Sequence, residues 1–344
     1  MNTTSSVTFH FVINCDDSEL ERYLQLGSVE TSELANTLAA PDICRRGDLS
    51  WCLQAYLFLS KRNNIPVSCS NKLVEQSINI ISSDYLLEVC GNSSHFIVCV
   101  QMDFPRRDWA HYHLVQNNNQ VTDDSAFIPH WVQPGLKKRN SNRKGVATVG
   151  YSGQTWNGNL AGSTKKWQQL LDPYGIEFMT IASGGWHDMS SVDVLLAIRS
   201  FDDNPHNTKP PSKLFNAWHA NIPFIGGNDS AYKQVGNPGK DYLIAKSPEE
   251  AVAWILRLAE DADFYDNIVQ NGRIQSLEFN QQKISARWEE VLSGSVLERY
   301  QLWASRKNYE KTRFLSLLSV GLSKHRSKQL IKSILRPVKG ILWI

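Results

Sequence analysis

Residues 209–225 of this 344-residue chain, Lys-Pro-Pro-Ser-Lys-Leu-Phe-Asn-Ala-Trp-His-Ala-Asn-Ile-Pro-Phe-Ile, contain the strongest indications of its fold. Proline is favoured at the start of a helix because the first helical N–H groups have no partner within the helix. The stretch therefore predicts a helix over 213–220, followed by a strand over 222–225. A helix that leads directly into a short apolar strand is typical of α/β proteins with a parallel sheet.

The start of this predicted helix has the features of an anion-binding site. Ser212 and Lys213 lie in its first turn, and Lys209 precedes it. Free backbone N–H groups and the positive end of the helix dipole attract a diphosphate at such a position. Asn216, one turn later on the same side, is a candidate to contact a ribose hydroxyl. The alternative is a core helix that begins with proline and carries a solvated lysine.

Small residues follow the predicted strand, in the segment Gly226-Gly-Asn-Asp-Ser-Ala-Tyr232. Small residues after a strand allow a backbone to approach a ligand closely. We therefore include Ser230, Ala231 and Tyr232 among the candidate ligand-binding residues.

Outward from this stretch, strands and helices alternate along both halves of the chain. The predicted strands cover residues 7–13, 65–69, 78–81 and 96–100 in the first half, and 146–149, 176–181, 192–198 and 222–225 in the second. A turn-rich, basic segment over 129–145 reads as a linker between the halves. The simplest architecture is α/β, with two Rossmann-like domains facing a cleft. We divide the chain into domains 1–140 and 141–292, with C-terminal helices and a tail over 293–344.

A resemblance to a known family rests on motifs in the second half. Residues 216–223 are similar to the "E-A-x-A-x-G-x-P" signature of glycosyltransferases with the GT-B fold. Downstream matches include Asp241-Tyr-Leu, Ser247-Pro-Glu-Glu-Ala, Asn271-Gly-Arg and Trp288. The resemblance covers roughly residues 146–292. It implies a GT-B fold, a nucleotide-sugar donor bound by the second domain, a glycan or glycolipid acceptor bound by the first, and no catalytic metal or other cofactor.

The chain departs from the family's pattern at three positions. The retaining branch has glutamates where this chain has Thr208 and Asn216, and Asn221 replaces the usual glycine. The resemblance therefore does not extend to retaining stereochemistry or to ribose binding through a carboxylate. The first half, with the segments 45–51, 128–135 and 186–188, is similar to uncharacterised bacterial members of the same family.

Further donor-binding candidates follow predicted strands of the second domain. Arg199 ends the strand 192–198, where α/β clefts bind ligands, and its guanidinium suits a phosphate; the alternative is a surface ion pair with Asp202 or Asp203. Ser152 and Gly153 lie in the loop after the domain's first strand, where the family wraps a phosphate.

Three side chains are candidates for the general base, Asp48, Asp103 and His187. Transfer with inversion needs one carboxylate or imidazole within hydrogen-bond reach of the acceptor hydroxyl. Arg46, Gly47 and Asp48 occupy the first strand-to-helix turn of the first domain, facing the cleft; the alternative role of Asp48 is that of a helix N-cap. The remaining cleft candidates flank His187 in a glycine-rich loop: Trp186 and Asp188. Loop tryptophans that could stack on sugar rings are Trp109, Trp131, Trp156 and Trp186.

Charge is distributed unevenly along the chain. The net charge is +2, yet residues 311–344 contain eight Lys and Arg and no Asp or Glu, which leaves residues 1–310 at −6. An acidic body argues against nucleic acid as a partner. On a helix, the tail separates basic from apolar residues, which favours binding to an anionic membrane surface; the alternative is packing on the body or on a partner protein. We see no signal peptide and no membrane-spanning run, and expect a cytoplasmic protein, peripheral on the inner face of the membrane.

These observations predict a glycosyltransferase of bacterial surface glycan, polysaccharide or glycolipid synthesis. The alternative function is a catalytically silent protein that binds nucleotide sugars or acts as a scaffold in a glycan assembly complex. The missing glutamates and the basic tail favour that alternative.

Overall fold

A computed structural model describes residues 7–26, 46–155 and 159–339 of the chain. Two parallel β-sheets form the centres of two α/β domains. The first has the strand order β2-β1-β3-β4-β5-β6 and the second the order β11-β10-β9-β7-β8. The strands are β1 Phe9–Val12, β2 Val67–Ser70, β3 Ile78–Ser82, β4 Phe96–Val100, β5 Tyr112–Val115, β6 Ser125–Phe127, β7 Thr148–Ser152, β8 Glu177–Ile181, β9 Val194–Ala197, β10 Phe224–Gly226 and β11 Leu243–Ile244.

The described α-helices connect and cover the two sheets. They are α1 Asp17–Gln25, α2 Gln54–Arg62, α3 Ser83–Val89, α4 Thr164–Leu171, α5 Ser212–Ala220, α6 Ser230–Val235, α7 Pro248–Glu260, α8 Ala262–Ser276, α9 Gln281–Val291, α10 Leu297–Ser305 and α11 Lys307–Lys339. The predicted α/β architecture is confirmed. The predicted helix and strand of residues 213–225 correspond to α5 and β10.

The central strands are apolar throughout because helices cover both faces of each sheet. All five residues of β4 are buried, as are all four of β9. Two short strands of the first sheet, β5 and β6, were not predicted. The β5 sequence Tyr-His-Leu-Val contains a histidine that is fully buried in the structure, so composition alone did not mark it as a core strand.

Asp193 fixes the linker to the second sheet. Its carboxylate accepts hydrogen bonds from Arg139 at 2.8 Å and Arg143 at 2.6 Å, and from the backbone amides of Ala147 and Thr148 at 2.9 Å each. Burial alone would raise the pKa of Asp193, but these donors hold it below its usual value. The linker is thus anchored where the second sheet begins.

Helices α9 and α10 return to the first domain. Trp288, Leu292 and Trp303 belong to the hydrophobic core around β1, β3 and β4. Arg62 on α2 donates to Glu289 on α9 at 2.6 Å, which joins residues 227 positions apart. Both helices therefore pack on the first domain.

The first part of α11 packs on the body of the protein. Phe314 is fully buried, and its ring is stacked on that of His111 with centroids 6.1 Å apart. A Cβ at Gly321 would lie 2.6 Å from the Trp109 ring, so this helix position has room only for glycine. Beyond Gly321, the side chains of Lys324, Arg326 and Lys328 are exposed. No described helix is both long and apolar enough to cross a membrane.

Candidate functional site

The candidate site is built where β7 ends and α5 begins. Gly153 follows β7 with a φ of +148°, and a Cβ there would lie 3.1 Å from the Tyr151 hydroxyl and 3.2 Å from Cε of Lys213. Glycine is therefore required, both for its backbone conformation and for the close approach of Lys213. The structure brings Ser152, Gly153 and Lys213 together, although about 60 residues separate the two segments.

The ammonium of Lys213 has no anionic partner among the residues that the structure describes. Its partly buried ammonium makes no hydrogen bond or ion pair with any described residue and lies 5.6 Å from the centre of the Tyr151 ring. Burial, and next the positive charge of Arg199, lower the pKa of Lys213 to about 7, while Asp229 opposes the shift. An anion beside this ammonium would restore its ordinary pKa.

Arg199 is almost fully buried and pairs with Asp229, not with Asp202 or Asp203 as the sequence-based alternative supposed. Its Nε donates to Oδ1 of Asp229 at 2.8 Å. The second oxygen of Asp229 and the hydroxyl of Tyr232 are buried and have no hydrogen-bond partner in the described part of the chain. These polar atoms leave the cluster unsatisfied and able to accept further interactions.

Asp103 and Lys209 meet across the cleft between the domains. Nζ of Lys209 lies 2.9 Å from Oδ2 of Asp103, and both side chains are partly exposed. The predicted base of the first domain and a predicted donor-binding lysine of the second therefore form an ion pair. Asp103 is accessible as a proton acceptor, and a bound anion would compete for Lys209.

A polar loop after β5, residues 117–120, holds the two domains together, and sequence reasoning missed it. Asn117 is fully buried; its Nδ2 donates to Oγ of Ser230 at 2.9 Å and to the carbonyl of Lys209 at 3.2 Å. Gln234 donates to Asn117 Oδ1 at 2.9 Å and accepts from the amide of Asn118 at 2.8 Å. The run of three asparagines at residues 117–119 was the available signal, although the strand before it, β5, was not predicted.

Asp48 forms an ion pair in the turn just before α2. The sequence placed it in the first strand-to-helix turn, but the first helix after β1 is α1, so that prediction is wrong. Arg46 donates to Asp48 at 2.7 Å, and Asp48 is 7% exposed and makes no side-chain hydrogen bond that caps the following helix. The N-cap alternative is therefore wrong. Burial raises the pKa of Asp48, and the Arg46 guanidinium opposes that rise. At Gly47, a Cβ would lie 2.7 Å from Cε of Met102, so the turn packs closely on the loop before Asp103.

The glycine-rich loop of Trp186, His187 and Asp188 contacts the linker. The carbonyl of His187 accepts from the amide of Lys137, and the Asp188 carboxylate accepts from the hydroxyl of Ser190 at 2.5 Å and from Lys137 at 3.0 Å. Burial alone would raise the pKa of Asp188, but these hydrogen bonds lower it to about 2. Among the described contacts, none joins this loop to Asp103, Lys209 or Lys213; its one link to the site is Ser152, whose hydroxyl donates to the Trp186 carbonyl at 3.4 Å.

Two other predicted residues on α5 differ in their contacts. Asn216 is buried, and its Oδ1 accepts from the backbone amide of Gln133 at 3.0 Å, so it binds the linker. Ser212 makes no side-chain hydrogen bond within the described part of the chain. Ala231, next to Ser230 at the start of α6, is 1% exposed and presents only backbone there.

His130 lies near the site, although sequence reasoning placed it in the linker. Its Nδ1 donates to the carbonyl of Trp131, and its ring centre is 4.0 Å from that of Trp51. Burial lowers the pKa of His130 to about 4, so the imidazole is neutral at physiological pH. Asp103 and Lys213 also influence this pKa, which places His130 near both. A histidine between the apolar residues 128 and 131 was the available signal.

The predicted stacking tryptophans have different surroundings. Trp109 and Trp131 are each 1% exposed, and their rings pack within the first domain. Trp186 is partly buried, and Trp156 lies outside the described residues. In the same described ranges, no three His, Cys, Asp or Glu side chains are grouped so as to hold a metal ion.

Comparison with known proteins shows similarity in structure only. No protein-family model and no curated protein matches the sequence. The Anabaena protein HepE, solved in complex with UDP and glucose, matches with a TM-score of 0.50 at 12% identity, over 83% of this chain and 99% of HepE. HepE in complex with UDP gives a TM-score of 0.50 at 11% identity, over 84% and 99% of the two chains.

A lipopolysaccharide outer core galactosyltransferase, WaaB, matches over 86% of this chain and 99% of its own, at 14% identity and a lower TM-score of 0.44. The HepE similarity extends over most of both chains. The structure likewise has two parallel sheets, each with covering helices and each at the centre of its own domain. The chain therefore has the two-domain, Rossmann-like GT-B glycosyltransferase fold.

Proposed function

We propose that this protein is a glycosyltransferase that moves a sugar from a nucleotide donor to a hydroxyl acceptor. The observation that supports this most directly is the ammonium of Lys213, which forms no ion pair with any described residue and lies beside Arg199 at the ends of β7 and β9 and the start of α5. A diphosphate supplies the negative charge that this arrangement lacks. The complexes of HepE with UDP and with UDP and glucose agree with such a donor.

The proposed chemistry divides between the two domains. The bond between the anomeric carbon and the diphosphate oxygen breaks, and its electron pair leaves with the diphosphate. Lys213, Arg199 and the first turn of α5 stabilise that charge, with Lys209 and the Ser230 hydroxyl at the cleft. The acceptor hydroxyl gives its proton to a base of the first domain as its oxygen bonds to the anomeric carbon.

Asp103 is the proposed base because it is the most exposed of the three candidates. Asp48 is buried in its pair with Arg46, and the backbone carbonyl of His187 accepts a hydrogen bond from the linker. A donor that draws Lys209 toward its phosphates would free Asp103. We expect Asp103→Asn to abolish transfer while nucleotide binding is retained, whereas the same loss in Asp48→Asn alone would assign the base to Asp48.

Nucleotide binding by the full-length protein tests the site. We expect one nucleoside diphosphate, among uridine, guanosine, adenosine, thymidine and cytidine forms, to raise the melting temperature. Lys213→Met removes the effect, and Lys165→Met, at an exposed helix lysine, is the matched control. Equal binding by Lys213→Met contradicts the site, and no response by folded protein contradicts the function.

A transfer assay separates catalysis from silent binding. With the selected sugar nucleotide and a set of glycan and glycolipid acceptors, we expect a glycosylated product, formed equally in the presence of EDTA. Binding without transfer or donor hydrolysis supports the scaffold alternative. Loss of activity in EDTA, restored by a divalent cation, contradicts the proposed metal independence.

We further propose that α11 holds the protein on an anionic membrane at the cytoplasmic face, where a surface glycan or glycolipid is made. Exposed cations after Gly321, and the absence of acidic residues from position 311 onward, support this. Full-length protein should float with phosphatidylglycerol vesicles and not with phosphatidylcholine vesicles. Deletion of residues 322–344 leaves the packed part of α11 in place and should abolish flotation; unchanged flotation contradicts the proposal.

A further inference from the structure

A groove runs along the linker side of the molecule, which we call the hinge groove. It consists of three adjoining cavities of about 210, 480 and 350 Å³. The first and second share Phe58 and Gln281, the first and third share Lys138 and His219, and the second and third share Asn280. None of its lining residues contributes to the group around Lys213, Arg199 and Asp103.

The first feature of the hinge groove is a pair of buried polar atoms that lack partners. Gln54 and Trp131 line its first cavity and are 5% and 1% exposed. Oε1 of Gln54 and Nε1 of Trp131 are each buried and form no hydrogen bond with any described residue. One is an acceptor and the other a donor. Buried polar groups are normally satisfied, so the wall of this cavity contains one unused acceptor and one unused donor.

The second feature is its charge. The described residues that line the three cavities include Lys61, Arg62, Lys138 and Arg273 and no Asp or Glu. This is unusual for residues 1–310, which have a net charge of −6. Arg62 pairs with Glu289. Lys138 and Arg273 are exposed and form no ion pair with any described residue, so the groove presents a surplus of positive charge.

The third feature is the type of uncharged side chain. Amides line the groove from end to end, among them Gln54, Gln270, Asn280, Gln281 and Gln282. An amide donates and accepts hydrogen bonds, as does a sugar hydroxyl, and the ring of Phe58 supplies an apolar surface. Hydroxyl groups match the amides, and carboxylates match the cations.

We propose that the hinge groove binds an acidic oligosaccharide, a glycan segment whose sugars carry carboxylates, at a site separate from the nucleotide site. The argument uses the groove's own residues and holds whether or not the protein transfers sugars. Because α2 of the first domain, the linker and α8 and α9 all contribute to the groove, a bound glycan would contact both domains.

Calorimetry with full-length protein tests the proposal. The probe is a hexamer of galacturonic acid, and the matched probe is the same hexamer with its carboxylates methyl-esterified. We expect the acidic hexamer to bind at least about tenfold more tightly than the ester, because only the acid pairs with the cations. Equal affinities, or no binding of the acid, overturn the proposal.

Variants place the binding site. Lys138→Gln combined with Arg273→Gln should weaken the acidic hexamer about tenfold or more, whereas Lys165→Gln with Lys324→Gln removes the same charge elsewhere and should not. Gln54→Leu should weaken both hexamers. Unchanged melting temperature and nucleotide binding show that a variant is folded. Binding retained by the double variant at residues 138 and 273, or competition between hexamer and nucleotide, overturns the assignment to this groove.

Discussion

Because the pKa of Lys213 is lowered, we predict that the affinity of the protein for a sugar nucleotide depends on pH and follows the protonation of this lysine. In the free protein its pKa is lowered to about 7, chiefly by burial. A diphosphate next to the ammonium favours the charged form and returns the pKa toward the ordinary lysine value of about 10.4. Binding above pH 7 must therefore take up a proton.

The size of the effect follows from the free protein's titration. With a pKa of about 7, Lys213 is about 90% protonated at pH 6 and about 1% protonated at pH 9. Affinity should fall about tenfold for each pH unit above 7, and about 90-fold between pH 6 and pH 9. At 1.4 kcal/mol per factor of ten, the loss in binding free energy is about 2.7 kcal/mol.

Calorimetric titration with the selected sugar nucleotide measures both the affinity and the proton uptake. The uptake can be assigned to the protein because the diester diphosphate of such a donor does not itself titrate between pH 6 and 9. Repeating the titration at pH 8 in buffers of different ionisation enthalpy should give an uptake of about 0.9 proton per donor bound. Lys213→Met should bind weakly and without this pH dependence, and Lys165→Met should behave as the unmodified protein. A flat affinity profile with no proton uptake in the unmodified protein refutes the reasoning.

Three further predictions concern stability and the closed cleft. The unfolded chain keeps Lys213 protonated up to about pH 10, whereas the folded chain keeps it protonated only up to about pH 7. The free energy of unfolding of the empty protein should therefore increase as the pH rises between these values. Denaturant titrations at pH 7 and pH 9 should show this increase, and Lys213→Met should lack it. Asn117→Ala removes the buried hydrogen bonds across the cleft, so the free protein should show a larger radius of gyration in solution scattering. An unchanged radius of gyration would show that these hydrogen bonds do not hold the two domains together. Gly321→Val places a side chain against Trp109 and should cost about 1–3 kcal/mol of unfolding free energy, while Ser319→Ala, at an exposed position of α11, should cost little.

The loop 117–120 also explains how the site residues are assembled. Asn117 donates hydrogen bonds to the hydroxyl of Ser230 and to the carbonyl of Lys209, both of which lie next to the proposed donor site. The ammonium of Lys209 in turn forms an ion pair with Asp103. A donor that pairs with Lys209 and Ser230 would replace these contacts between the domains, so donor binding and cleft geometry are expected to depend on each other.

Local sequence determined much of the architecture. Alternating apolar segments predicted both halves of the α/β fold, and the prolines and small residues of 209–225 located α5 and β10. These features succeed because helix starts, strand runs and turns depend on neighbouring residues. Local patterns failed at two places. In β5, a buried histidine hid a core strand from the sequence analysis. At Asp48, a side chain that could cap a helix instead forms an ion pair with Arg46.

Partners of the charged residues were decided only by tertiary structure. Arg199 pairs with Asp229, 30 positions away, rather than with nearby Asp202, and Lys209 pairs with Asp103, 106 positions away. Lys213 was predicted correctly as part of a helix start, but its missing partner and lowered pKa follow from burial beside Arg199. Sequence specifies which groups can ionise; which charges meet, and how much water each loses, depends on the packing of distant segments.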